Sequence, residues 1–337
     1  MTPATDRLTS DARGAWLSPG APDVAIELAS TRATVVALSK GPDGPVVDGW
    51  ASEPLPAGAL VPSLTSLNVV DTTAVIDALR RAVSRAGVKA KRVALVVPDL
   101  AAKVTLVPFD TVPARAEDLE ELIGWQVRKS VPFPLEEARL SFIAGAPYGD
   151  SGRTFVVTLA RLDIIRQYEE MTAAIGAHAG VVDLASFNAV NAVLAADAAR
   201  TRVATMASPA DGDWLFVGTA PESQSLAILR GDTLVFFRSR PTGSDDRLSD
   251  LVHQTAMYYE DRLGGTGFTR VVLAGGAAWS GDAVRQGLTE RLGAPVVSIE
   301  PRHLVGFGGA GFDDLQPAAA EALIAPLGIL LREREGS

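Results

Sequence analysis

Residues 24–38 read VAIELASTRATVVAL, two apolar, β-branched runs on either side of the small, hydroxyl-rich Ala29-Ser30-Thr31. Such runs separated by a short polar cluster are the signature of strand, turn and strand. A third strand is expected over Val46–Ser52. The same opening returns later: Trp214–Gly218 (WLFVG) and Ser225–Leu229 predict a second hairpin, and Thr233–Ser239 predicts its third strand. Each triplet leads into alternating helix and strand patterns. Two halves that begin alike and continue alike predict an internally duplicated α/β architecture.

Outward from the first triplet, Asp71-Thr72-Thr73 is a good N-cap for a helix to Arg85, with Val75, Leu79 and Val83 at helical spacing and Gly87 as its stop. Lys91–Pro98 is a buried strand by its unbroken apolar run. A strand at Val104–Phe109, a helix at Ala116–Lys129, strands at Arg139–Ala144 and Thr154–Ala160 and a helix at Leu162–Ile175 follow. That β-α-β-β-α order predicts a compact αβ lobe inserted into the first half. Val181–Asp183 brings the chain back, and a helix leaves from Ser186. The second half continues with helices at Leu248–Leu263 and Ala283–Leu292 and strands at Arg270–Ala274 and Val296–Ile299. A last helix, Ala319–Leu331, is expected to be interrupted at Pro326 and Gly328 and to pack into the second half. The expected division is a flexible leader over 1–22, a first half over 23–103 and 177–200, the inserted lobe over 104–176, and a second half over 201–337.

The 337 residues are 47% hydrophobic and 21% charged, which excludes global disorder. A net charge of −9 repels phosphate backbones and anionic lipid surfaces, so neither nucleic acid nor direct membrane insertion is expected. The opening Met1–Pro22 has no apolar run ahead of a cleavage site and reads as a cytoplasmic leader. Without Cys there is no thiolate chemistry, and His178, His253 and His303 stand in no metal-binding frame, so no metal site is expected. Asp183 and Ser186 lack the elbow motif of a hydrolase, and Gly306–Phe312 lacks the Lys and Ser/Thr of a phosphate loop and reads as a surface loop. The acidic groups Asp245-Asp246 and Glu117–Glu121 read as solvated helix starts.

Several segments occur in a telling order: Ile26–Thr31, the stretch WQVRKSVPFPLEE over Trp125–Glu137, Val181–Asp183 with Phe187 and Ala189, LAGG at Leu273–Gly276, and Pro326–Arg332. In that order the chain resembles the PilM family, the actin-like cytoplasmic component of type IV pilus assembly, related to the cell-division protein FtsA. The resemblance runs from about Val24 to Arg332. It implies an actin-like ATPase fold, duplicated, with a small αβ lobe inserted in the first half, and a nucleotide held between the halves.

What the resemblance implies about that nucleotide is altered here. The first hairpin has Glu27 where the family pattern has Asp, Ala29 at the first Gly position and Thr34 where a Lys is usual, while Ser30 and Thr31 remain. In the second hairpin Phe216 takes the Asp position, with Gly218 and Thr219 retained. A phenyl ring cannot ligate magnesium. The Gly275-Gly276 turn survives, but Arg238 runs through Pro241-Thr242-Gly243 almost directly into the helix with Tyr258 and Tyr259, so the lobe over the adenine is expected to be reduced. Glu27, Ser30, Thr31, Gly218, Thr219, Gly275 and Gly276 are therefore read as a vestigial nucleotide site. Each also has a plain structural reading as a polar turn or a close backbone approach.

The resemblance implies a partner, the N-terminal cytoplasmic tail of a PilN-like single-pass membrane protein, held by the first half and its inserted lobe, with other pilus assembly components beyond it. The Pro132-Phe133-Pro134 break is expected to expose Trp125, Val131 and Phe133, and with Arg128 these are the candidate partner contacts; the alternative is that they cap the lobe's own core. The expected function is a non-catalytic scaffold, cytoplasmic and peripheral to the inner membrane through its partners, with ATP and Mg disfavoured. Two alternatives stay open. One is an active ATPase or small-molecule kinase with Glu27 in place of the Asp; the other is a GspL-like type II secretion component, which would normally continue into a membrane helix. If Phe216 fills the old metal position, its ring is expected near Leu28 and Ala29.

Overall fold

The computed structural model describes residues 22–42, 44–203, 212–243, 248–275, 282–308 and 315–335. Gly276, Asp245, Asp246, and most of the leader and of Gly306–Phe312 lie outside them.

The first half opens with β1 (Val24–Leu28), β2 (Arg32–Gly41) and β3 (Gly44–Pro54), followed by α1 (Thr72–Ala86) and β4 (Arg92–Val97). Next come β5 (Ala102–Phe109), α2 (Ala116–Val127), β6 (Ala138–Tyr148), β7 (Gly152–Arg161) and α3 (Leu162–Ala173). β8 (His178–Leu184) and α4 (Ala185–Val203) complete it. The second half runs β9 (Asp213–Thr219), β10 (Ser223–Arg230), β11 (Thr233–Pro241), α5 (Leu248–Leu263), β12 (Val271–Ala274), α6 (Asp282–Leu292) and β13 (Val296–Ser298). The short β14 (Gly306–Phe307) and α7 (Pro317–Glu335) close the chain.

Duplication is explicit in the sheets. One is ordered β14-β3-β2-β1-β4-β8 and the other β11-β10-β9-β12-β13, so β3-β2-β1-β4-β8 and β11-β10-β9-β12-β13 are the same arrangement twice. In both, the hairpin's first strand runs parallel to the strand that follows the first helix. A separate three-stranded sheet, β5-β7-β6, carries the inserted lobe.

Local chemistry fixes the helix ends where the sequence reading placed them. Asp71 caps α1, its side chain accepting the Ala74 N–H, and Gly87 ends it in the left-handed conformation at φ 68°.

Strand alternation then sorts the apolar residues into layers. Ile26, Leu28, Val35 and Leu95 face α1 and α3 on one side of the six-stranded sheet. Ala25, Val36, Ala94 and Val96 face α4 and α7 on the other, where Trp214, Phe216, Ala227 and Val272 of the second sheet meet the same helices. Leu215, Val217, Ile228 and Val271 turn away toward α5 and α6. The order is helix, sheet, helix, sheet, helix, with α4 and α7 shared between the halves.

Three expectations are corrected. α7 runs unbroken through Pro326. It also lies on the first half's sheet as well as against Trp214 and Phe216, with Leu323, Leu327 and Leu330 in the shared core, because a two-sided apolar helix is buried best between two sheets. Finally, α3 buries Ile164, Tyr168 and Met171 in the core of the first half rather than in that of the lobe. It precedes β8 as α6 precedes β13, which makes it part of the repeated unit.

Candidate functional site

The two hairpins point their turns at each other across a cleft between the halves. In the first turn the Ala29 N–H donates to the Arg32 carbonyl at 3.0 Å; in the second the Ala220 N–H donates to the Ser223 carbonyl at 2.8 Å. Counted back from these turns, the counterpart of Glu27 in the second hairpin is Gly218, which pairs with Ala274 as Glu27 pairs with Val96. Phe216, read from the sequence as standing in for the carboxylate, lies two residues deeper in β9 as the counterpart of Ala25.

Alternation puts Glu27 on the cleft side of β1, opposite to Leu28. Its carboxylate meets the Arg32 guanidinium, Oε2 lying 3.2 Å from Nε and 3.1 Å from a terminal nitrogen. Burial pushes the Glu27 carboxyl up from its ordinary value; Arg32 opposes this, and the nearby Glu222 and Glu321 add to it. Glu27 in turn holds Arg32 more firmly protonated. Ser30, at the tip of the first turn, donates to Oε2 of Glu222 at the tip of the second, at 2.5 Å. Thr31 shares its turn. Thr34, where the resemblance implied a Lys, is fully buried and bonded to the Ser52 hydroxyl at 2.9 Å.

Asp99 is a residue the sequence reading missed. It follows β4 directly after Pro98, and its buried carboxylate accepts the Ser186 N–H at 3.0 Å, the Ser186 hydroxyl and, from the second half, the Ser225 hydroxyl at 2.5 Å. Burial raises it, the three hydrogen bonds working in the other direction. A Pro-Asp pair closing a buried strand was its only local signal.

The glycines answer to packing. A β-carbon on Gly218 would stand 2.9 Å from the Phe216 ring and 3.2 Å from the Ser186 hydroxyl. On Gly275, at φ +88°, it would meet the Thr219 carbonyl oxygen at 1.9 Å. The Thr219 hydroxyl is buried beside them with no partner among the described residues. Phe216 is fully buried in the shared core with α4 and α7. It lines the same cleft as Leu28 and Ala29, while the Leu28 side chain packs into the other core. The space within the cleft is about 90 Å³, against roughly 300–1,000 Å³ for clefts that hold drug-sized ligands. Among its described lining residues Glu27, Asp99, Glu222 and Glu321 carry carboxyl groups, and of these described residues Arg32 alone carries a cation. Among the described residues no cluster of His, Asp and Glu is arranged to hold a metal.

The candidate partner residues separate. Trp125 is 73% exposed, and Arg128 is exposed with a distant contact to Glu136 at 3.9 Å. Val131 is 7% exposed and Phe133 packs against the lobe's core, so the break at Pro132 turns both inward to cover Leu119, Ile123 and Val157. α2 and this core occupy one face of the three-stranded sheet. On the opposite face the sheet forms, with α3 and β8, a groove of about 570 Å³ lined by Arg139, Ser141, Thr158, Arg166 and Val182 among others. Among the described residues β8 is the edge strand there, paired with β4. Ile143, two residues beyond Ser141 in register and opposite Val156, extends this face and is 60% exposed.

Among the described residues no helix is long and apolar enough to cross a membrane. The sequence family described as type IV pilus assembly protein PilM matches residues 25–262. Among solved structures, a chain of a PilM-PilN type IV pilus biogenesis complex superposes with a TM-score of 0.77 at 19% identity, over 94% of this chain and 99% of that one. The cytoplasmic domain of EpsL, an inner membrane component of the type II secretion system of Vibrio cholerae, gives 0.47 at 10% identity, over 93% and 94%. No curated protein matches. The fold is the duplicated, actin-like α/β fold.

Proposed function

The chain belongs to the PilM family of type IV pilus assembly proteins, and from that premise we propose that it is a non-catalytic scaffold of a pilus or related secretion machine, held at the inner membrane from the cytoplasm by the N-terminal tail of a PilN-like protein. The observation that carries the partner reading is the groove between β8 and the open face of the three-stranded sheet. An unpaired edge strand offers backbone N–H and C=O groups to an extended segment, and the side chains facing it supply selectivity. Membership in a family whose similar solved structure is a PilM-PilN complex supports the same assignment.

The non-catalytic reading rests on the hairpins. Magnesium takes oxygen ligands, and neither Phe216 nor Gly218 provides one. Glu27, the carboxylate at that position in the first hairpin, is engaged by Arg32. This also counts against the ATPase or kinase alternative, in which Glu27 would have to orient the metal. The direct test is titration of the full chain with a synthetic tail peptide of the neighbouring single-pass protein, alongside phosphate release with Mg-ATP. Capture of the peptide without turnover is the expected result; no binding at high micromolar peptide, or sustained phosphate release, would overturn the reading.

A further inference from the structure

We propose that Arg32 is the built-in cation of the cleft and that, together with the Ser30–Glu222 bond, it fastens the two halves in a closed state that takes no nucleoside triphosphate. This concerns the cleft alone and is separable from tail binding at the groove.

The geometry distributes the charges over four elements. Glu27 and Arg32 come from the strands flanking the first turn, Glu222 from the second turn, and Glu321 from α7. Arg32 contacts Glu27 within the first hairpin, and Glu222 of the second hairpin and Glu321 of α7 line the same cleft, so their negative charges act on the same guanidinium across it. In an actin-like cleft that holds a nucleotide, phosphate charge is matched by a metal and by backbone N–H groups. Here the lining carboxylates would face a triphosphate of their own sign, and Arg32, the one guanidinium among the described lining residues, is already bound to Glu27. Ser30 then joins the tips of the turns, leaving about 90 Å³ behind them. That space suits water, and the unpartnered Thr219 hydroxyl on its wall is a group water would satisfy. The Asp99 bonds to Ser186 and Ser225 brace the same closure from the side of β4.

The test is backbone hydrogen exchange on the full chain, comparing wild type, Arg32→Gln, and the double variant Ser30→Ala, Glu222→Gln. Loss of the clasp should speed exchange in the peptides spanning the two turns by about tenfold or more, with the three-stranded lobe unchanged, since local opening is governed by the contacts that close each unit. Exchange in wild type should not respond to millimolar Mg-ATP. Arg32→Gln leaves Glu27 buried without its partner, so it should be most open at neutral pH and recover as acid protonates the carboxyl. Should Arg32→Gln not fold, the double variant reads the same clasp without uncovering Glu27. Turn peptides that exchange at the wild-type rate in the folded variants would overturn the proposal, as would ATP-induced protection of the turns in wild type.

Discussion

Gly328 of α7 passes so close to the carbonyl oxygen of Asn188 in α4 that a β-carbon on it would fall 1.8 Å away. These are the two helices shared between the halves, so this contact sets how closely the two sheets can approach the common core.

Gly328→Ala should therefore cost about 3 kcal/mol, at the upper end for overpacking, because the obstructing atom is backbone and cannot swing aside. Urea denaturation of the variant would show it. An unchanged midpoint would mean that the helices have slack the structure does not contain.

Phe216→Asp places a carboxylate two residues deeper than Gly218, the structural counterpart of Glu27, and so in the shared core, where Phe216 has no exposed surface. Losing a buried ring costs about 3–5 kcal/mol, and burying an unpaired charge adds to that. The variant should be strongly destabilised and should release no phosphate from ATP. Wild-type melting, or any turnover, would refute this account of the residue.

What could be read from the sequence follows from how local each determinant is. The turn at Ala29–Arg32, the Asp71 cap and the Gly87 stop depend on neighbours a few residues away, and their sequence patterns located them directly. The duplication was legible for the same reason, since each triplet announces itself in its own segment. Asp99, by contrast, matters through Ser186 and Ser225, 87 and 126 residues on, and Glu222 through Ser30, 192 residues back. No spacing rule connects such pairs. Pro326 misled in another way: its helix-breaking tendency is a local preference, overridden where both sheets bury the helix. For the glycines a close backbone approach was legible but its partners were not, because Gly218 answers to Phe216 and Gly275 to the Thr219 backbone.

The buried carboxyls give stability an unusual pH dependence. Burial raises both Glu27 and Asp99 above their ordinary values of 4.5 and 3.8. Between the unfolded and folded pKa values the folded chain holds more protons than the unfolded one, so these groups' contribution is fully present below the unfolded pKa and is lost as pH rises through the folded one. Asp99→Asn removes the Asp99 part of that loss. Relative to wild type, its stability should increase with pH from about 4 upward, as measured by denaturation at a series of pH values. A constant difference between the two proteins would show that Asp99 titrates alike in both states.

The groove and the Trp125 surface lie on opposite faces of the three-stranded sheet, so substitution can decide which one holds the partner tail. Ser141 is exposed on the groove side, and Ser141→Trp fills the space an extended segment would occupy beside β8. Its effect on folding should stay within about 0.5 kcal/mol, as for exposed positions generally. Its effect on the tail peptide should be a loss of about tenfold or more, since a segment pairing with the edge strand has to pass over that position. Trp125→Ala should leave stability equally untouched, the ring being 73% exposed, and should leave tail affinity unchanged. Calorimetric titration of both variants with the same peptide separates the faces. Weakening by Trp125→Ala alone would move the tail site to α2, and weakening by neither would remove it from the lobe.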